Sequence, residues 1–212
     1  MNRPILPFVL LALLPGFAWG QGGLVAKHKH DARRAHEPVV RLEAVDHSFS
    51  IVVPYEWLPF TGDSPEAVAR MKSLEDEPTA QEALQKLKSG IYQIFATSLL
   101  DGLKEKPVGA TFNVSALPAS PFEFTEDGIE EFKGGFSANP RIKDVDIKLF
   151  DINGVSAYRC RFKASVGDFD LDSVCYAFKH KDRMLMINVN MAPGALDVDR
   201  YDKVARSIKF KD

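Results

Sequence analysis

From Phe49 onward the chain alternates between runs of period two and longer amphipathic stretches, and each run predicts an element. Phe49-Ser50-Ile51-Val52-Val53-Pro54 reads as a strand stopped by its proline and followed by Trp57. Two helices follow. The first opens at the cap-like Ser64-Pro65-Glu66 and places Ala67, Met71 and Leu74 on one side. The second opens at Pro78-Thr79, carries Ala80, Ala83, Leu84 and Leu87 on one face and stops at Gly90, with Glu82 and Lys86 at i,i+4 spacing on an exposed face. Strands are predicted over 91–99 and 109–117. A third helix begins at Thr125-Glu126-Asp127-Gly128 and runs through about Phe136, with Ile129, Phe132 and Phe136 as its apolar side.

The remainder reads as a meander. Strands over 141–152, 155–164, 169–179 and 184–191 are joined by short turns, of which Asn153-Gly154 is the strongest hairpin signal in the chain. A last helix covers about 196–207, with Leu196, Tyr201, Val204 and Ile208 inward, and Phe210 closes the domain. Strands adjacent in sequence and joined by tight turns imply antiparallel pairing. The run Met184-Leu185-Met186-Ile187-Asn188-Val189 is apolar at both parities, so both of its faces should be covered. The expected fold is α+β, an antiparallel β-sheet flanked by helices on both faces in an α/β/α sandwich.

The first 46 residues follow another pattern. Arg3 precedes an apolar run from Ile5 to Leu14, then Pro15-Gly16 and the small residues Ala18 and Gly20. Charge, short apolar core and small-x-small spacing predict a secretory signal over 1–20, cleaved between Gly20 and Gln21. No later stretch is long and apolar enough to span a bilayer. Residues 21–46 lack aromatics and carry five basic and four acidic side chains with His28, His30 and His36, which predicts a tether ending in a short strand near 39–45. Residues 47–212 would form one domain, and the mature protein would be periplasmic or secreted.

Composition narrows the function classes little. Of 212 residues, 45% are hydrophobic and 26% charged, with a formal charge of −2. Removing 20 residues, Arg3 among them, leaves 192 residues with 26 basic and 29 acidic side chains, a formal −3. That balance disfavours a nucleic-acid partner bound through phosphate neutralisation.

Several pieces coincide in order: Phe49 to Pro54 with Trp57, then Phe112-Asn113-Val114, then Phe150-Asp151-Ile152-Asn153-Gly154-Val155-Ser156-Ala157-Tyr158, and the closing Ile208-Lys209-Phe210. Over about residues 47–210 this pattern resembles the PsbP-like family, which includes an extrinsic photosystem II protein, bacterial periplasmic DcrB-like proteins and a nuclear protein that binds the GTPase Ran. The resemblance implies the same sandwich and a largely non-enzymatic accessory or binding role. It assigns no binding residue, because the matching positions read as core and turn.

Cys160 and Cys175 are the only cysteines, and they lie on neighbouring predicted strands. If they oppose each other, Lys163 meets Asp172, but Arg159 and Arg161 share a face with Val174, Tyr176 and Phe178. A slip of one residue gathers Tyr158, Cys160 and Phe162 with Val174, Tyr176 and Phe178 and separates the cysteines. Hydrophobic patterning favours the slip; an oxidising compartment favours a disulfide, which is the expectation adopted.

Other candidates are weaker. His28, His30 and His36 match no closed zinc spacing, so metal capture by the tether would be adventitious. Asp168, Asp170 and Asp172 lack the glycine and terminal glutamate of a calcium loop. Asp197, Asp199 and Asp202 read as charges complementing the last helix's dipole. Asn113-Val114-Ser115 fits a glycosylation sequon but lies on a predicted strand. There is no Gly-x-Ser-x-Gly elbow, and Gly134-Gly135 follows a helix instead of opening one. His47 and His180 are the histidines of the folded part, and a hydrolase would have to be built on one of them. The preferred expectation is an exported, non-enzymatic accessory or binding protein without cofactor. A protein partner would meet it through a patch drawn from Tyr55, Trp57 and Phe60.

Overall fold

The computed structural model describes residues 39–59, 78–98, 110–118, 123–166 and 169–211. The predicted signal, His28, His30, His36, Phe60, the helix expected near Ser64 and Asp168 lie outside the described residues. Among those described, ten strands and three helices follow in the order β1 (Val39–Glu43), β2 (Phe49–Pro54), β3 (Trp57–Pro59), α1 (Pro78–Lys88), β4 (Tyr92–Ser98), β5 (Thr111–Pro118), α2 (Ile129–Ser137), β6 (Ile142–Ile152), β7 (Val155–Val166), β8 (Phe169–His180), β9 (Arg183–Met191), α3 (Val198–Arg206) and β10 (Lys209–Phe210). None of these helices is long and apolar enough to cross a membrane.

The strands form two antiparallel sheets, where the sequence suggested one. Seven run in the order β3-β4-β5-β9-β8-β7-β6, and a second sheet has the order β1-β2-β10. The extra sheet arises where the chain leaves β2. Pro54 ends that strand, Tyr55 and Glu56 turn, and Trp57 opens β3 against β4. Phe49, Ile51 and Val53 thereby pack with Trp57, Phe112, Ile187 and Val189 of the larger sheet. That burial (five of the six β2 residues) is what a solvent-exposed hairpin would forgo.

Successive residues of a strand point to opposite faces, and two core clusters follow that parity. Leu185, Ile187 and Val189 of β9 pack with Val174, Tyr176 and Phe178 of β8, with the small sheet, and with Tyr201, Val204 and Ala205 of α3. Met184 and Met186 pack instead with Cys175, Ala177, Tyr158 and Cys160, and with Phe132 and Phe136 of α2. A smaller cluster sets Ala83 and Leu87 of α1 on Tyr92 and Phe95 of β4.

Local signals placed most ends. Asn153 and Gly154 take φ of 54° and 87°, as a two-residue hairpin with positive φ at both positions requires. The Asn153 side chain then donates to the backbone carbonyls of Arg206 and Ile208, locking the turn to the end of α3. Gly90, at φ 75°, closes α1. The α2 helix starts at Ile129, four residues later than its sequence signal, because Tyr158 holds residues 123–125 as a loop. Its hydroxyl oxygen lies 2.7 Å from the Thr125 carbonyl and accepts from the Thr125 N–H at 3.1 Å.

The β7–β8 register is settled. Cys160 faces Cys175 and Lys163 faces Asp172, so the slipped alternative is excluded. The expected disulfide is nevertheless not formed, and both cysteines are free. Exchange needs a thiolate that meets an oxidising sulfur. Here both side chains are fully buried, and burial together with the facing Cys175 pushes the Cys160 thiol pKa well up.

Candidate functional site

Most residues that sequence singled out do other work. Tyr55 is exposed, but Trp57 is only 1% exposed and packs its indole against Phe112 and Tyr201, so it forms no surface patch with Tyr55. His47 sits at the surface with φ 58° and its Nδ1 3.0 Å from Glu43 Oε1. His180 stacks on Phe210 at 3.6 Å between ring centroids, and desolvation followed by Lys181 and Arg183 lowers its pKa. Among the described residues no hydroxyl or thiol is hydrogen-bonded to either imidazole. Asp170 accepts from Ser165 across its own hairpin turn, and Asp172 from the Gly194 N–H in the segment after β9, so both acids hold loops in place. Asp197 caps α3 by accepting from the Arg200 N–H, as a helix start calls for. The Glu82–Lys86 pair forms at 2.6 Å, but Lys86 is largely buried with its ammonium over the Tyr92 ring, not on an open face.

Asp202 is the first residue whose role sequence missed. It is buried and not a dipole-complementing surface charge, because the third position after Asp199 turns toward the sheet. Its carboxylate accepts from the Tyr176 hydroxyl at 2.7 Å and from Arg159 Nη1 at 2.6 Å. This resolves the awkward pairing of Arg159 with an apolar face: the guanidinium leaves the core to meet Asp202 and lies near the Phe150 ring. Burial and the Asp202 hydrogen bond push the Tyr176 phenol far above its ordinary pKa. Every partner is satisfied, so the cluster has the form of a structural pin.

The other face of the same strands carries a different arrangement. Thr111, Asn113 and Ser115 alternate along β5, Asn188 and Asn190 along β9, and Ser173 stands on β8; all six are buried. Register groups them into rungs running across the sheet. In one rung, Ser173, Asn190, Thr111 and Thr97 stand in successive register across β8, β9, β5 and β4. Ser173 donates to Asn190 Oδ1 at 2.8 Å, and Asn190 Nδ2 donates to Thr111 Oγ1 at 2.9 Å. In the next, Cys160, Cys175, Asn188, Asn113 and Phe95 follow one another across five strands. Asn188 Nδ2 donates to Asn113 Oδ1 at 2.9 Å, and Ser115 donates to the same oxygen at 3.2 Å.

The second rung is incomplete. Asn113 Nδ2 and Asn188 Oδ1 are buried without a hydrogen-bond partner, and so is Thr97 Oγ1 in the first rung. A buried amide group without a partner carries a desolvation cost. Asn113 is fully buried, which closes the sequon to glycosylation in the folded chain. A sequence signal for this row existed: Thr-x-Asn-x-Ser and Asn-x-Asn put polar residues at one parity of two strands that are apolar at the other. Its amides and hydroxyls donate and accept hydrogen bonds but supply no acid or base near neutral pH.

No family model and no curated protein matches the chain. Among solved structures, it is similar to cyanobacterial PsbP (CyanoP) from Synechocystis sp. PCC 6803 at TM-score 0.48 and 10% identity, covering 86% of this chain and 98% of that one. It is similar to LpqN of Mycobacterium tuberculosis, a protein involved in cell envelope biogenesis, at TM-score 0.48 and 8% identity over 82% and 91% of the two chains. A Bacteroides thetaiotaomicron protein aligns at TM-score 0.45 and 10% identity, over 81% of this chain and 48% of that one. At these TM-scores and identities the likeness assigns no residue a role.

Proposed function

We infer that this chain is an exported accessory protein that works by binding and not by bond-making chemistry. What supports the reading is the engagement of both histidines of the folded part with non-catalytic neighbours, His47 with Glu43 and His180 with the Phe210 ring. Export rests on the order of Arg3, the apolar run and Ala18-x-Gly20, which directs residues 1–20 to a signal cleaved before Gln21 and places the mature chain in the periplasm or outside the cell. A protein partner in that compartment belongs to the same reading. The α/β/α arrangement, with α2 and α3 on opposite faces, is supported by the opposite parity of the β9 residues that each helix packs against.

Two measurements test it. Amino-terminal sequencing of the protein from the exported fraction should begin at Gln21, and an intact Met1 would refute export. The purified chain should hydrolyse p-nitrophenyl acetate and p-nitrophenyl phosphate no faster than its His47→Ala/His180→Ala variant. A clear loss of turnover in that variant would refute the binding reading.

A further inference from the structure

We propose that Asn153 is a modification site, where spontaneous deamidation irreversibly releases the lock between the β6–β7 hairpin and the end of α3. Asn153 and Gly154 stand exposed at the hairpin tip, with φ of 54° and 87°. A Cβ added to Gly154 would meet nothing within 4 Å, so no side chain shields its nitrogen. The reaction needs only water. The Gly154 backbone nitrogen loses its proton and attacks Asn153 Cγ. The Cγ–Nδ2 bond breaks, and ammonia leaves with that proton. Water then opens the cyclic imide: at Cγ it leaves an aspartate, at the Asn153 backbone carbonyl an isoaspartate whose chain runs through the side chain. Either product carries a carboxylate in place of the amide, a gain of about one dalton.

The fold commits both reacting groups elsewhere. The Gly154 N–H donates to the two carboxylate oxygens of Asp151, at 3.1 and 3.0 Å. Asn153 Nδ2 donates to the Arg206 carbonyl at 2.8 Å and to the Ile208 carbonyl at 3.4 Å. The leaving nitrogen is thus the one that ties the hairpin to α3, so cyclisation proceeds from the state in which residues 206–208 have lifted. Ser207 restrains that lifting. Its oxygen accepts from the Val52 N–H at 2.8 Å and lies 2.6 Å from the Val204 carbonyl, which fastens the helix end to β2. After deamidation the lock cannot re-form. A carboxylate has no hydrogen to donate, and it would face two carbonyl oxygens beside the Asp151 carboxylate. The Arg206 guanidinium is already engaged, with Nε donating to the Asp151 carbonyl at 3.2 Å and the group 4.3 Å from the Phe150 ring centroid. β10 follows directly on residue 208, so the pairing of Lys209 with Ser50 and Phe210 with Phe49 loses an anchor.

The test incubates the full mature chain at mildly alkaline pH, folded and in concentrated urea, and follows the peptide holding Asn153 by mass spectrometry. The folded chain should gain the dalton at Asn153 at least about tenfold more slowly than the unfolded one, and Ser207→Ala should raise the folded rate at least about threefold. Deamidated chain, separated from the rest by ion exchange, should be cut by trypsin after Arg206 and Lys209 at least about tenfold faster than unmodified chain, with Trp57 emission native in both. Asn153→Asp makes the aspartate product directly and should be cut as fast. Asn153→Gln, whose longer amide cyclises far more slowly, should gain no mass at that position. Equal rates in the folded and unfolded chains overturn the proposal, and so does an unmodified folded chain after about a hundred half-times of the urea reaction. Trypsin cutting that is unchanged in the deamidated chain overturns the release of α3, whether or not Asn153→Asp folds.

Discussion

On one side of β8 the Tyr176 hydroxyl and the Arg159 guanidinium converge on Asp202; on the other, beside Cys175, Asn188 meets Asn113. Both clusters are polar groups inside an apolar sheet, and both are held by hydrogen bonds of ordinary length. The first is charged and closed: acceptor and donors match, and the chain pins α3 to the sheet. The second is neutral and open, with a donor and an acceptor left over. A charge inside a protein must be fully paired, because leaving it alone costs several kcal/mol, whereas an unpartnered amide carries a smaller penalty. Closure therefore goes with charge, and an incomplete rung is tolerated among neutral groups.

Substitutions separate the two. In a chain starting at Gln21, where Trp57 is the sole tryptophan and reports on the core, Asp202→Ala strands Arg159 and the Tyr176 hydroxyl and should lower unfolding free energy in urea by about 3 kcal/mol. A loss below about 1 kcal/mol would mean that the charged cluster is no pin. Gly128→Ala comes next. An added Cβ would sit 2.4 Å from the Tyr158 hydroxyl and 2.7 Å from the Glu123 carbonyl, so the clamp ahead of α2 must open, at about 2 kcal/mol in the same urea series. Unchanged stability would show that the clamp is dispensable.

Asn113→Leu/Asn188→Leu should cost about 1–2 kcal/mol, since the pair becomes apolar together and only the neutral Ser115 hydroxyl loses its acceptor. A loss as large as that of Asp202→Ala would erase the contrast between open and closed clusters. The smallest effect is electrostatic. Desolvation, with help from Lys181 and Arg183, lowers the His180 pKa below its ordinary 6.5, so the unfolded chain binds the proton first. The stability contribution is present above about pH 6.5 and declines as pH falls through the window between that value and the lower folded one. Replacing His180 with Phe keeps the stack on Phe210 and should flatten this part of the pH profile of Tm; an unchanged slope would assign it elsewhere.

The meander was legible residue by residue. Alternation in 141–152, 155–164, 169–179 and 184–191, with Asn153-Gly154 between the first pair, placed four strands to within about two residues of their ends, because turn chemistry and side-chain parity are local. Helix ends were less legible where a distant side chain intervened, as Tyr158 does at residues 123–125. The polar row was half visible. Thr111, Asn113 and Ser115 sat in a strand read as core, and a polar residue in a core strand can equally be satisfied filler until its neighbours across the sheet are known.

Sequence by itself determined the strand parities, the hairpins and the stop of α1 at Gly90. Only tertiary structure decided that β2 joins a second sheet, that Cys160 faces Cys175 with both thiols free, that Asp202 turns inward, and that Asn113 meets Asn188. Each of these depends on which residue lies opposite another across a ladder or beneath a helix. Local periodicity fixes the face on which a side chain stands, and register and packing fix what it meets there.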